Sequence, residues 1–192
     1  MTLQQLNETY ARTVREQLGE PDLRLVYGHG QPEAPRLMWI GEAPGEEEAR
    51  QGVPFVGKAG ANLDGFLGKL GVKRNAVYIT NVVKFRPAVS GPTGRTHNRP
   101  PTAREIDLFR PWLFEEIALV APKCIVTLGN TPLQALLGKG ALVGQLHGKW
   151  QQWRGIKLYV MYHPAAIIYR RELADVCQND IVRLGADLTS AF

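Results

Sequence analysis

Four side chains in this sequence could together hold a flat polar molecule, and each follows an apolar run. The stretch GEAPGEEEARQGVPFVGKAG, residues 41–60, directly follows Leu37-Met38-Trp39-Ile40 and contains five glycines, four glutamates and one aromatic residue. A phenylalanine at Phe55 would ordinarily plug a core. With Gly52, Gly57 and Gly60 around it, backbone can approach a planar ligand while the ring offers a stacking face, worth roughly 1–3 kcal/mol for a nucleobase. Asn81 ends the run Val77 to Thr80. A strand-end Asn often only forms a turn, but beside a stacking ring its carboxamide presents a donor and an acceptor to the edge of a base. His163 precedes Pro164, which favours an extended backbone there. It reads either as a structural histidine or as a donor to an oxygen gaining negative charge on a leaving group. Glu42 lies nearest the end of its run, where a carboxylate can orient water or steady a cationic sugar. Glu46, Glu47 and Glu48 read first as a solvated run. A phosphate-binding loop is excluded, because the GxxxxGK[ST] spacing is missing and three glutamates repel phosphate.

These residues need a frame that brings distant loops together. Short apolar strands are expected at 37–40, 77–80, 125–128 and 158–162, and a hairpin partner for the last at 149–153 through Arg154-Gly155. Helical spacing covers 3–18, 62–70, 102–120, 131–137 and 171–188. Apolar strands alternating with helices predict an α/β fold: three layers, α/β/α, around a central, mainly parallel four-stranded sheet. Ligands of such sheets bind beyond the carboxyl ends of the strands. Four unusual segments follow strands here, GEAPGEEE, NVVKFRP, LGN and HPAA. If the strands run parallel, all four meet on one rim.

The length of 192 residues suits one domain. It divides into a helix and lead-in at 1–35, a motif-bearing core at 37–168 and a closing helix at 171–192. No run approaches the roughly 18 apolar residues of a membrane span, and the first twenty residues have no signal-peptide core. A cytoplasmic monomer that avoids membranes is expected. Cys124 and Cys177 are the only cysteines, too few for a disulfide framework or a four-cysteine metal site. The net charge of +5 fits a polyanionic partner without requiring one. Lys84, Arg86, Arg95, Arg99 and Arg104 crowd one Pro- and Gly-containing stretch, a candidate phosphate-tracking loop. Ile167, Ile168, Tyr169 and Arg170 read either as a helix start packed on the core or as a wedge that enters a base stack.

The fragments GEAPGEEEARQGVPFVGKAG, ITNVVKFRP, NRPPTAREI, IVTLGN and YHPAA, in that order over residues 37–168, together resemble the uracil-DNA glycosylase superfamily, most of all its family 4. The resemblance implies a parallel sheet between helices and an enzyme that flips deoxyuridine out of single- or double-stranded DNA and hydrolyses its N-glycosidic bond. It makes Phe55 the ring stacked on uracil, Asn81 the amide that reads its edge and His163 the donor to its oxygen. Glu42 and Asn98 would place the attacking water. Gly41, Ala43 and Glu48 would line the base pocket, Glu48 near the uracil 5-position. Lys84, Arg86, Arg99 and residues 167–170 would contact DNA. Ala43 stands where family 1 carries its water-activating aspartate.

Two departures accompany the resemblance. Family 4 typically holds a [4Fe-4S] cluster on four cysteines, but the positions matching two of them are Phe85 and Phe109, and the first twenty residues contain none. No cofactor or metal is therefore expected, with the aromatic rings acting as a hydrophobic plug in its place. The loop PAVSGPTGRTH before Asn98 is enlarged, and its His97 is similar to a loop histidine that captures deoxyribose covalently in a related branch. The alternatives to a hydrolase are thus a covalent uracil-DNA trap through His97 and a non-catalytic DNA-binding module.

Overall fold

The computed structural model describes residues 1–92 and 94–191. Among the described residues, six strands form one sheet in the order β1-β3-β2-β6-β8-β7. They are β1 (His29–Gly30), β2 (Leu37–Gly41), β3 (Tyr78–Asn81), β6 (Cys124–Leu128), β7 (Trp150–Trp153) and β8 (Ile156–Met161). The central four, β3, β2, β6 and β8, are parallel, as the alternation of strands and helices predicts. Two short antiparallel strands, β1 and β7, extend that four-stranded core to six. β7 is the expected hairpin partner of β8, whereas β1 lies in a Gly- and Pro-rich stretch with no apolar pattern to reveal it.

Period-two alternation divides each central strand between two cores. Met38, Ile40, Tyr78, Ile125, Leu158 and Val160 pack on one face against α1 (Leu3–Leu18), α4 (Ala103–Val120) and α5 (Asn130–Leu137). Leu37, Trp39, Ile79, Val126, Tyr159 and Met161 pack on the other against α3 (Lys58–Lys69) and α8 (Leu173–Ala191). The three-layer architecture follows directly. Helix starts are set locally: the Thr2 hydroxyl accepts from the Gln5 amide at α1, and that of Thr102 from the Glu105 amide at α4.

Register aligns the strand ends. Gly41 pairs with Asn81, Ile40 with Thr127 and Leu128 with Met161, so the four central strands finish on the same rim. Short elements fill the loops: α2 (Glu46–Gln51), α6 (Val143–Leu146), α7 (Ala166–Tyr169) and the antiparallel pair β4 (Ala88–Ser90) and β5 (Thr96–Asn98). That last hairpin is the enlarged loop, within which Thr93 lies outside the described residues.

Candidate active site

Phe55, Gly41, Asn81 and His163 come together on this rim. A Cβ on Gly41 would lie 2.4 Å from Asn81 Oδ1 and 2.5 Å from Phe55 Cζ, so glycine is required for the ring and the amide to close on this strand end. The Phe55 and His163 rings lie 5.7 Å apart, tilted by 30°. Phe55 is 5% exposed and also packs into the core shared with α3 and α8. Asn81 is buried, and its Oδ1 accepts no hydrogen bond from any of the described residues. A buried acceptor left without a donor costs on the order of 1–3 kcal/mol, so this orphan beside the Phe55 ring at the strand end is suited to a ligand that donates there.

His163 is held in one protonation state by its surroundings. Burial pushes its pKa down to about 4, although the nearby Glu48 carboxylate pulls the other way. The ring is neutral at neutral pH. Its Nδ1 accepts from the Ala165 amide at 3.1 Å, which leaves the single ring proton on Nε2 as a donor.

Glu48 departs from its reading as part of a solvated run. Buried at the N-terminal turn of α2, it accepts from the amides of Gly45 (3.1 Å), Val56 (3.1 Å) and Gly57 (3.0 Å), tying α2 to the Phe55 loop. Asn98 meets it at Gly45, where an added Cβ would stand 2.7 Å from Glu48 Oε2 and 3.4 Å from Asn98 Nδ2. Asn98 is exposed on β5, its Oδ1 accepting from Arg86 Nε at 2.7 Å. The Glu42 carboxylate accepts a hydrogen bond from the Thr131 hydroxyl in the first turn of α5. Sequence reasoning missed Thr131, whose only signal is its place directly after the LGN segment. Ala43 is half-buried against the core under α4.

The expected DNA contacts separate into two groups. Lys84 is a correction: it is fully buried, its Nζ 2.5 Å from both Glu116 Oε2 and Thr80 Oγ1 and 2.7 Å from the Asn81 carbonyl. Burial pushes its pKa down while Glu116 opposes that shift, and the ammonium has no path to a phosphate. Arg86 is engaged by Asn98, Thr96 and Glu46, bridging the β4–β5 hairpin to α2. Arg99 makes a two-point contact with Glu105, at 2.6 and 2.7 Å, and helps hold that carboxyl down at about 2. By contrast Ile168 is 41% and Tyr169 85% exposed on α7, with Ile167 half-buried behind them. Arg170, also exposed, pairs with Glu172. A sequence window that counts charges cannot distinguish a buried lysine from a solvated one.

The iron-sulfur cluster of family 4 does not fit these residues. Cys124 and Cys177 are both buried in the core on the α3/α8 face and cannot supply four thiolates. Phe85 and Phe109 lie in the opposite core with their rings 5.8 Å apart, and Phe109 stacks on Trp112 at 5.7 Å. Among the described residues, no group of three or more His, Cys, Asp or Glu side chains is placed to hold a metal. Nor is any described helix long and apolar enough to cross a membrane.

The model of the uracil DNA glycosylase superfamily matches residues 27–183. A type-4 uracil-DNA glycosylase of Sulfurisphaera tokodaii is 36% identical over 168 residues, 83% of this chain and 72% of that protein. The type-4 uracil-DNA glycosylase of Pyrobaculum aerophilum is 36% identical over 189 residues, covering 94% and 92%. The crystal structure of Pedobacter heparinus SMUG2 shares the fold at 13% identity, with a TM-score of 0.53 over 81% of this chain and 75% of that one. Because the match runs through nearly all of the chain and includes each strand end that builds the rim, this protein belongs to the uracil DNA glycosylase superfamily.

Proposed function

We propose that this protein is a monofunctional uracil-DNA glycosylase that removes uracil from DNA as a single-domain, cytoplasmic monomer working without a cofactor. The observation that carries the reading is the orphaned Asn81 Oδ1, which meets the Phe55 ring at Gly41, with a neutral His163 on that ring's flank 5.7 Å away. An extrahelical uracil stacks on Phe55. Its ring N–H donates to the free Asn81 oxygen, and His163 Nε2–H donates to the uracil oxygen that gains charge as the glycosidic bond breaks. Both electrons of that bond leave with the base. The sugar, left with oxocarbenium-like charge, is steadied by the Glu42 carboxylate and attacked by water that Glu42 and Asn98 position; the water's hydroxyl becomes the abasic 1′-hydroxyl, and its proton passes by way of Glu42 to the uracil anion, which leaves as neutral uracil.

Extrusion of the nucleotide costs a few kcal/mol, least in single strands or mismatches. The exposed Ile168 and Tyr169, with Arg170 beside them, suit a wedge that fills the vacated stack. The alternative of a covalent trap through His97 is less favoured, because an added Cβ on Gly91 would stand 3.1 Å from its ring, which sets the imidazole over its own hairpin turn.

A labelled oligonucleotide with one uracil, resolved on a denaturing gel, tests the reading. Alkali-labile cleavage at the uracil is the expected result. A heat-stable shifted band would mean covalent capture, and binding without either product would mean a non-catalytic module; both overturn the proposal.

A further inference from the structure

Phe55 has a backbone φ of 55°, in the left-handed region that a bulky side chain rarely adopts. Something must hold it there. The loop is gripped from two sides by opposite charges. On the amide side, the Glu48 carboxylate takes the N–H groups of Val56 and Gly57. On the carbonyl side, Arg74 Nη2 donates to the carbonyls of Pro54 at 2.6 Å and Phe55 at 2.8 Å. The guanidinium is itself fixed by Asp64, 2.6 Å from Nη1. Gly60 leaves room for this arrangement, because a Cβ there would come within 2.0 Å of the Phe55 carbonyl oxygen.

We infer that Arg74 is a positioning residue for the glycosylase reaction: by capping the Pro54 and Phe55 carbonyls it keeps the Phe55 ring aimed into the base slot. The inference rests on the reading of Phe55 as the stacking ring. Arg74 itself stands 19 residues away in the 3-10 turn Arg74–Ala76 that leads into β3 and touches no reacting atom. Without it, Phe55 relaxes toward negative φ and the ring leaves its place opposite Asn81 and His163. The contribution therefore appears in turnover on uracil, not in the grip on DNA, which other surfaces supply.

A double-mutant cycle on single-turnover uracil excision tests this, with Phe55→Leu as the second site. Arg74→Ala is expected to lower the excision rate by about tenfold, leaving affinity for uracil-free DNA within about twofold of the original, with Arg74→Lys recovering part of the loss. In the Phe55→Leu background, Arg74→Ala should change the rate by less than about twofold, because the group it acts through is gone. Should Arg74→Ala fail to fold, Arg74→Gln, which keeps a donor on a shorter stem, replaces it in the same cycle. Rates for the Arg74 variant within about twofold of the original, or losses that multiply across the cycle, would overturn the inference. A Phe55→Leu variant as fast as the original protein would instead remove the stacking reading on which it rests.

Discussion

In the proposed reaction His163 works as a neutral donor, and that state has a measurable signature. Burial holds its pKa near 4, against 6.5 for a free histidine, so the ring stays uncharged through the physiological range. Protonation at Nδ1 would set an N–H against the Ala165 amide and break the contact that orients the ring. Excision should thus stay level from about pH 8 to about pH 5 and decline only toward pH 4, with no inflection at an ordinary histidine pKa. A pH profile of single-turnover rates checks this, and an inflection near 6.5 would contradict it. The same shift acts on folding. Between these two pKa values the unfolded chain binds a proton that the folded chain refuses, so stability is full above 6.5 and is lost as pH falls toward 4. For Asn81, replacement by Ala removes the orphaned acceptor and should cut excision by more than about tenfold while DNA affinity changes little, a split that kcat and Kd measured on one substrate resolve.

At the scale of elements, the proposed site needs α2 and the loop behind it to move as one body. Glu48 does this with three backbone N–H groups on one carboxylate. In Glu48→Gln, one acceptor oxygen becomes an NH2 group facing donors, so at least one buried N–H loses its partner, at about 1–3 kcal/mol. Hydrogen exchange should quicken across residues 52–57 and excision should slow, while exchange in β6 and β8 stays as it was. Which elements were legible in the sequence follows from the same physics. The four parallel strands and the long helices carry apolar periodicity, and their positions came out within a few residues. α2 did not, because its acidic first turn has no apolar face and its single inward residue is a glutamate. The β4–β5 hairpin was equally hidden: its residues are exposed or half-buried, so no alternation marks it. Phe55, Asn81 and His163, which the fold brings to one rim, were marked in the sequence by the glycines around Phe55 and by the apolar runs that Asn81 and His163 end or follow, whereas Arg74 and Thr131 make their contacts with segments remote in sequence and carry no local pattern.

Across the whole molecule, two buried assemblies couple the rim to the body, one where the sequence suggested a DNA contact and one where it suggested an aromatic plug. Lys84 looks like a DNA contact, yet it joins β3 to α4 through Glu116, which also accepts from the Tyr78 and Thr80 hydroxyls. Lys84→Met would strand the Glu116 carboxylate in the core at a cost of about 3–5 kcal/mol. Urea unfolding should show that loss, and Lys84→Met with Glu116→Gln should recover much of it. The salt dependence of DNA affinity should keep its slope in those variants, while Arg170→Ala lowers it by about one counterion. The second assembly is the aromatic block. Phe85, Phe109, Trp112, Tyr10 and Tyr27 form a chain of ring contacts from the loop after β3 through α4 to α1, and the Trp112 indole donates to Asn7. Such a block anchors the segments it joins by dispersion and exclusion of water. Phe109 is fully buried, so Phe109→Ala should cost about 3–5 kcal/mol and release the loop carrying Arg86 and Asn98, lowering excision along with stability. Protein produced in iron-fed cells should at the same time contain no stoichiometric iron or acid-labile sulfide and keep its activity after exposure to chelator. Four irons per chain, together with a Phe109→Ala variant as stable as the original, would show that the rings do not carry this part of the fold.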